Sequence, residues 1–177
     1  MYDIQKYQRD ISVKEYIREY VNVAEFIEYC KECPNYNAVW SCPPYDFEPE
    51  DFWNQFSELH IIARKIIFEE GTGPKEGKRI MEEVKAGMSE ELYDMEKFFP
   101  GSVSLSAGSC SMCKGEGCSR PLGEPCRRPG DMRYSIESIG GNVGLTVSKL
   151  MGIELEWVQE LSLIHILPQG SESFPMW

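Results

Sequence analysis

Hydrophobic residues recur at helical intervals in several separate segments of this 177-residue chain. Ser12 and Glu15 have the spacing of a capping box, so the apolar positions that follow predict a helix over about 13–21. Asn22 fits the cap of a second helix that ends near Cys30. Further helices are predicted from Pro49, over about 76–99 with Gly87 as a candidate break, over 135–140, and over 142–151 with Gly152 as C-cap.

Four other segments predict β-strands. Residues 61–68 are rich in isoleucine, and apolar residues near 103–105 alternate with serines before the chain reaches Cys110. Two more strands are predicted near 153–157 and 161–168.

Helices thus alternate with strands along most of the chain, which favours an α/β fold. We expect a small mixed, partly parallel sheet flanked by helices. The length suits one domain over 1–177, with cysteine-rich metal-binding loops at 30–49 and 110–133. The second loop follows a strand and is expected at the edge of the sheet, where ligand sites are common.

Composition and charge narrow the classes of function. A hydrophobic content of 42% is ordinary for a globular domain, and a formal net charge of -11 repels phosphate backbones. Nucleic-acid binding is therefore not expected. The first residues carry no basic and apolar signal regions, and no apolar run approaches the roughly 18 residues that cross a bilayer. We expect a cytoplasmic protein without membrane contact.

The seven cysteines fall into two short stretches. An odd number of cysteines in a cytoplasmic chain argues against a disulfide scaffold, which leaves metal ligation or redox chemistry. The first stretch holds Cys30, Cys33 and Cys42, and the second holds Cys110, Cys113, Cys118 and Cys126.

The second stretch supplies four thiols, which is the complete ligand count of one metal site. Its short spacers, rich in glycine and proline, allow the chain to wrap around a 4Fe-4S cluster. Zinc is the alternative, although zinc is usually held by two CxxC knuckles far apart in sequence. We therefore favour a 4Fe-4S cluster on Cys110, Cys113, Cys118 and Cys126.

Basic residues outnumber acidic ones by five to three within 110–133, although the chain as a whole is acidic. Positive charge near thiolate sulfurs offsets the negative charge of a ligated cluster. The alternatives are a solvated loop, or arginines that bind an anionic substrate or the carboxylates of a partner. The candidate cofactor-binding residues are Arg127, Arg128 and Arg133.

The first stretch supplies only three thiols. Three cysteines on a second 4Fe-4S cluster would leave one iron open to water or substrate, which would make this an active site. Zinc with a fourth ligand from His60, His165 or a carboxylate is an alternative. Cys30 and Cys33 could also join one CxxC pair of the second stretch in a zinc knuckle pair, or all three thiols could be structural or redox-active.

Three aromatic residues surround Cys42 in the sequence. They could shield a cluster from water, but we expect them to pack against the sheet. They are Tyr36, Trp40 and Tyr45.

Over most of its length the chain resembles an uncharacterised family of predicted metal-binding proteins that is common in anaerobic bacteria and archaea. The first block of the resemblance consists of Cys30, Cys33-Pro34, Tyr36, Trp40 and Cys42-Pro43-Pro44. The second consists of Cys110, Cys113, Cys118, Cys126-Arg127, Pro129, Arg133, Ser135, Glu137, Gly140 and Val143. Arg128 stands in place of a family histidine, and Gly141-Asn142 in place of Ile-Asp. The resemblance implies metal binding and no particular reaction.

These observations predict an iron-sulfur protein whose role is electron transfer or redox assistance to a partner protein. The rival hypotheses are an enzyme that uses an open iron on the three-cysteine set to act on a small anionic substrate, and a zinc-stabilised binding module.

Overall fold

The computed structural model describes residues 2–113 and 115–153, and the backbone of residues 160–169. Its sheet contains four strands in the order β1-β2-β4-β3. The strands are β1 (Tyr2–Ser12), β2 (Glu58–Phe68), β3 (Leu105–Ser106) and β4 (Glu160–Gln169). The strand predicted near 161–168 is thus confirmed, whereas the one near 153–157 lies almost entirely outside the described residues.

The expectation of a partly parallel sheet is wrong, because every pairing between named strands is antiparallel. Parallel pairing within the described residues is limited to an isolated bridge between Ser106 and Ser135. The physical reason is β1, which the hydrophobic pattern did not predict. It pairs with β2 from Tyr2–Phe68 to Ser12–Glu58, so the intervening helices join two antiparallel neighbours and make no crossover between parallel strands.

Three short helices connect β1 to β2 and confirm the predicted capping. They are α1 (Val13–Tyr20), α2 (Val23–Lys31) and α3 (Pro49–Trp53). The Ser12 Oγ accepts a hydrogen bond from the Glu15 N–H at 3.3 Å, and the Asn22 Oδ1 accepts one from the Glu25 N–H at 3.2 Å. Each cap satisfies an N–H group that has no partner within its helix.

The long helix α4 (Pro74–Phe98) covers one face of β2. It runs without interruption through Gly87, so the candidate break there does not occur. Its buried residues pack with Ile62 and Ile66 of the strand; they are Ile80, Val84, Met88 and Leu92. Within the described residues, no helix is long and apolar enough to cross a membrane.

The main core lies on the opposite face of β2. Leu59, Ile61 and Ala63 of the strand are fully buried there against α1, α3 and the segment after β3. The indole N–H of Trp53 donates to the Ile139 carbonyl oxygen at 2.8 Å. Because both faces of β2 are covered, apolar residues occupy successive positions in it, at 61–63 and 66–68, instead of strictly alternating with polar ones.

The segment after the second cysteine loop contains the predicted short helices, in modified form. It forms a 3-10 turn at Glu137–Ile139, α5 (Val143–Leu145) and a π-helical turn at Thr146–Leu150, with Gly152 following in the left-handed region. Gly140 has a φ of +87°, and a Cβ there would lie 2.8 Å from Val23 Cγ2. Glycine therefore permits α2 to pack directly on this turn.

Candidate metal centres

The second cysteine loop leaves the sheet after β3, the edge strand, as predicted. Between Cys113 and Cys118 the chain reverses direction tightly. The N–H groups of Glu116 and Gly117 both donate to the Cys113 carbonyl oxygen, at 3.2 and 3.1 Å. Gly115 and Gly117 have φ values of +91° and +73°, which side-chain-bearing residues rarely adopt. This turn brings the later cysteines back toward the first two.

The four cysteines of this loop line one cavity of about 280 Å³. All four are partly buried, and all seven cysteines of the chain are free thiols. The rest of the wall includes Val39, Trp40, Met112, Arg128 and Met132. The structure therefore brings together Cys110, Cys113, Cys118 and Cys126, which the sequence assigned to one site.

The four thiols line this cavity but do not converge on one position that a single metal ion could occupy. Among the residues that the structure describes, no three His, Cys, Asp or Glu side chains form a group that could hold a metal ion. For comparison, Zn–S bonds of about 2.3 Å place the sulfurs of a tetrahedral site roughly 3.8 Å apart and leave room only for the ion.

Electrostatics disfavours the thiolate form in the cavity unless positive charge is supplied. Burial raises the pKa of Cys126, and the charges of Cys110, Cys113 and Cys118 raise it further. A hydrogen bond from the Arg128 backbone N–H acts in the opposite direction. Since like charges close together oppose ionisation, four thiolates here would be stabilised by a bound cation or metal cluster.

The three candidate arginines have different environments. Arg128 lines the four-cysteine cavity. Arg127 donates to the Gly117 carbonyl oxygen at 2.8 Å, which joins the end of the loop to its tight turn. Arg133 is only 15% exposed and makes a bidentate ion pair with Glu96, at 2.9 and 2.6 Å. Its guanidinium is thus engaged in holding the loop to α4.

The first cysteine loop supplies a wall of the same cavity through Trp40. The Trp40 indole N–H lies 3.2 Å from both the Ser119 Oγ and the Glu124 carbonyl oxygen, and donates to them. We expected Trp40 to pack against the sheet, but it lines the cavity. Tyr45, in contrast, packs against the main core, where its ring contacts Phe47 and Tyr134.

Arg120 holds the two loops together, a role that sequence reasoning did not assign. Its guanidinium donates to the carbonyl oxygens of Val39, Cys42 and Pro44. It also lies 5.0 Å from the centre of the Trp40 ring. The bond to Val39 measures 2.9 Å. These contacts fix the first loop against the wall formed by the second.

Ser41 is a second junction and is fully buried. Its Oγ accepts a hydrogen bond from the Cys110 N–H at 2.9 Å, so the first residue of the four-cysteine set is tied to the first loop. Its carbonyl oxygen accepts from the Tyr45 and Ser138 hydroxyls and the Ser135 N–H, at 2.7, 3.1 and 3.2 Å. A serine between Trp40 and Cys42 gave no signal in the sequence.

The three-cysteine set meets Ser41 at Cys42, whose Sγ lies 3.8 Å from the Ser41 Oγ. Cys30 is half-buried at the end of α2, Cys33 is exposed, and Cys42 is 8% exposed. Burial raises the pKa of Cys42 to about 11; the Ser41 hydroxyl lowers it, whereas charges on Cys30, Cys33 and Glu137 raise it. Burial also raises the pKa of Cys30, as do the charges of Cys33 and Glu137.

Glu137 is therefore the carboxylate whose charge acts on this set. Its Oε2 accepts hydrogen bonds from the Ser135 hydroxyl at 2.6 Å and the Gly108 N–H at 3.1 Å. Its other oxygen makes no hydrogen bond within the part of the chain that the structure describes. The His60 ring instead lies 2.6 Å from Asp10 on the sheet, and the His165 side chain is outside the described residues.

The structure is a mixed α/β domain that carries its free cysteines on two neighbouring loops. The chain is a member of the family described as Predicted metal-binding protein (DUF2284), whose model matches residues 16–167. The match confirms the resemblance noted in the sequence. Comparison with curated proteins and with solved structures gave no match.

Proposed function

We propose that Cys110, Cys113, Cys118 and Cys126 hold a 4Fe-4S cluster and that the protein transfers electrons to or from a redox partner. The observation that carries this proposal is the cavity of about 280 Å³ with all four thiols in its wall. When bound, such a cluster exchanges single electrons with a partner at a potential that its surroundings set.

The size of the cavity favours a cluster over zinc. A zinc site of four thiolates encloses space for the ion alone, whereas the cavity that these cysteines line also extends to Val39 and Trp40. A cluster separates its thiolate ligands more widely because four iron atoms and four sulfides lie between them. The cavity as it stands thus suits the larger group.

The surrounding residues provide what a cluster needs from its protein. Trp40 and Met132 in the wall exclude water, which tunes the potential. Arg128 is a positively charged residue in the same wall and would offset the negative charge of ligated sulfur. Arg127 and Arg133 act indirectly, because their hydrogen bonds to the Gly117 carbonyl oxygen and to Glu96 hold the cysteine loop in its conformation.

We further propose a second metal centre on Cys30, Cys33 and Cys42, with Glu137 as the non-cysteine ligand. The support is a chain of contacts: the Ser135 hydroxyl donates to Glu137, the Ser135 N–H donates to the Ser41 carbonyl oxygen, and the Ser41 Oγ lies 3.8 Å from the Cys42 Sγ. The Glu137 charge also adds to the raised pKa of Cys30 and Cys42. Two hydrogen bonds to Oε2 orient the carboxylate and leave Oε1 for a metal. An exposed Cys33 would place one side of this centre within reach of solvent or a small substrate.

Metal and sulfide analysis of protein purified without oxygen tests both proposals. The four-cysteine centre predicts about four iron and four sulfide per chain. We expect Cys118→Ser to remove this cluster, whereas the matched change Cys33→Ser retains it. One zinc per chain without sulfide would refute the cluster.

The second centre is tested in a background in which Cys110, Cys113, Cys118 and Cys126 are all replaced by serine, so that the first loop alone carries cysteines. Metal that remains there belongs to the three-cysteine set, and adding Glu137→Gln should reduce it. The glutamine keeps an oxygen for the Ser135 and Gly108 donors but removes the charge. Equal metal content with and without this change would exclude Glu137 as a ligand.

A further inference from the structure

A second, larger groove lies directly beside the four-cysteine cavity. Its volume is about 550 Å³, within the range of about 300–1,000 Å³ that is typical of sites for small organic ligands. The two spaces share three residues as a common wall, Trp40, Cys126 and Met132. A molecule in the groove would therefore contact a residue that we assign to the cluster.

The groove has a rigid aromatic wall. Tyr45 and Phe47 are stacked with ring centres 4.8 Å apart, and Tyr134 meets Tyr45 edge-on at 5.2 Å. Tyr134 in turn packs edge-on against Phe52 of the main core at 5.4 Å. Because these rings support one another, the wall is preformed for a flat ligand.

The Tyr134 hydroxyl is the half-buried polar group that the groove leaves unused, whereas the Asp46 carboxylate in the same wall is exposed to water. It makes no hydrogen bond within the described residues, although the side chain is half-buried. Burial raises the pKa of this hydroxyl, the charges of Asp46 and Cys126 raise it further, and the charge of Arg120 lowers it; all three residues line the groove. A half-buried phenol without an acceptor can donate to a ligand carbonyl oxygen. Arg120, by contrast, is occupied by three backbone carbonyls.

We propose that this groove binds a planar aromatic carbonyl compound of the quinone or isoalloxazine class. Its rings would stack on the aromatic wall, and a ring carbonyl would accept a hydrogen bond from Tyr134. Binding itself requires no metal in the neighbouring cavity. The redox role of such a ligand rests on the proposed cluster, since Cys126 separates the two sites.

Titration with two probes tests the proposal and distinguishes the two sources of this chemistry. One probe is 2,3-dimethyl-1,4-naphthoquinone, whose ring positions are blocked against addition of thiols, and the other is riboflavin. Saturable binding is measured by calorimetry and by quenching of tryptophan fluorescence. Quenching should shrink in Trp40→Phe, because Trp40 lines the groove. Binding of either probe supports the proposal and identifies the ring system; saturable binding of neither overturns it.

Tyr134→Phe removes only the hydroxyl and keeps the ring in place. We expect binding to weaken about five- to tenfold, the effect of losing one hydrogen bond. Tyr29→Phe is the matched control, because Tyr29 is 60% exposed on α2 and its hydroxyl donates to Glu25. Unchanged affinity in Tyr134→Phe would refute the carbonyl contact.

Pro125→Trp gives an independent test, because it fills the groove from its exposed rim. We expect it to abolish binding, and full binding in this variant would place the ligand elsewhere. Metal analysis of the same samples keeps the two proposals separate. Binding without iron would refute the cluster alone, whereas iron without binding would refute the groove alone.

Discussion

Arg120→Met is the most informative test of how the cavity is built. The substitution keeps an apolar stem of similar length but removes the guanidinium. The first loop then loses the donors to Val39, Cys42 and Pro44, and the Trp40 ring loses its cation. The two loops would keep only their other contacts, such as the Ser41 junction with Cys110.

The expected loss of stability follows from these contacts. Each hydrogen bond from a charged donor contributes about 1.5–3 kcal/mol to stability. In the variant the three carbonyl oxygens can bind water instead, so the net loss per hydrogen bond falls to about 1 kcal/mol. The contact with the Trp40 ring adds about 0.5–1 kcal/mol. Because the contacts share one side chain and are not additive, we expect a total of about 3 kcal/mol. For a chain of this size that corresponds to a fall in melting temperature of about 6–12 °C.

The assay is thermal unfolding of metal-free protein under reducing conditions, so that loss of a metal does not contribute to the difference. Arg18→Met is the matched control, because the Arg18 side chain is 67% exposed and pairs with the adjacent Glu19. The control should have the melting temperature of the wild type. If Arg120→Met also has that melting temperature, Arg120 does not hold the two loops together and our account of the cavity wall is wrong.

Two further predictions concern the fold. Gly140→Ala should destabilise the protein by about 3 kcal/mol in urea unfolding, because alanine is strained in the left-handed region and its Cβ clashes with Val23. Gly87→Ala is the control. It lies in open space on α4 and should stabilise the protein by about 1 kcal/mol. Equal effects would contradict the packing of α2 on the turn. Burial raises the pKa of the Tyr16 hydroxyl, and the hydrogen bond with Thr146 only partly offsets this. The buried neutral phenol therefore stabilises the fold fully below about pH 10. As pH rises further, the free energy of unfolding falls by about 1.4 kcal/mol per pH unit. Urea unfolding of wild type and Tyr16→Phe between about pH 9 and 11 should show the steeper fall in the wild type; parallel curves would refute this.

The helices were predictable because their signals are local. Ser12 and Asn22 act on N–H groups three residues away, and the apolar stripe of α4 overrides the weak helix propensity of Gly87. β1 was not predictable in this way. It is an edge strand that is largely exposed, with Ile11 as its one buried residue, so it lacks the alternation that marks a half-buried strand.

The sequence predicted which cysteines lie together and did not predict the walls around them. Cysteine spacing grouped four thiols because nearby positions in a tight loop lie close in space, and these four line one cavity. The roles of Arg120, Ser41 and Glu137 depend on contacts between distant segments. Such residues are common at loop surfaces, and one sequence does not reveal which of them meet.

The junction between the two loops also constrains the order of events during synthesis. Ser41 and Cys110 are separated by 69 positions, and Arg120 and Val39 by 81. When the ribosome has produced the first loop, the residues of the second loop that pack against it have not yet been translated. The four-cysteine cavity therefore forms only after the chain has been made through Cys126, and a metal can enter this cavity only after that point.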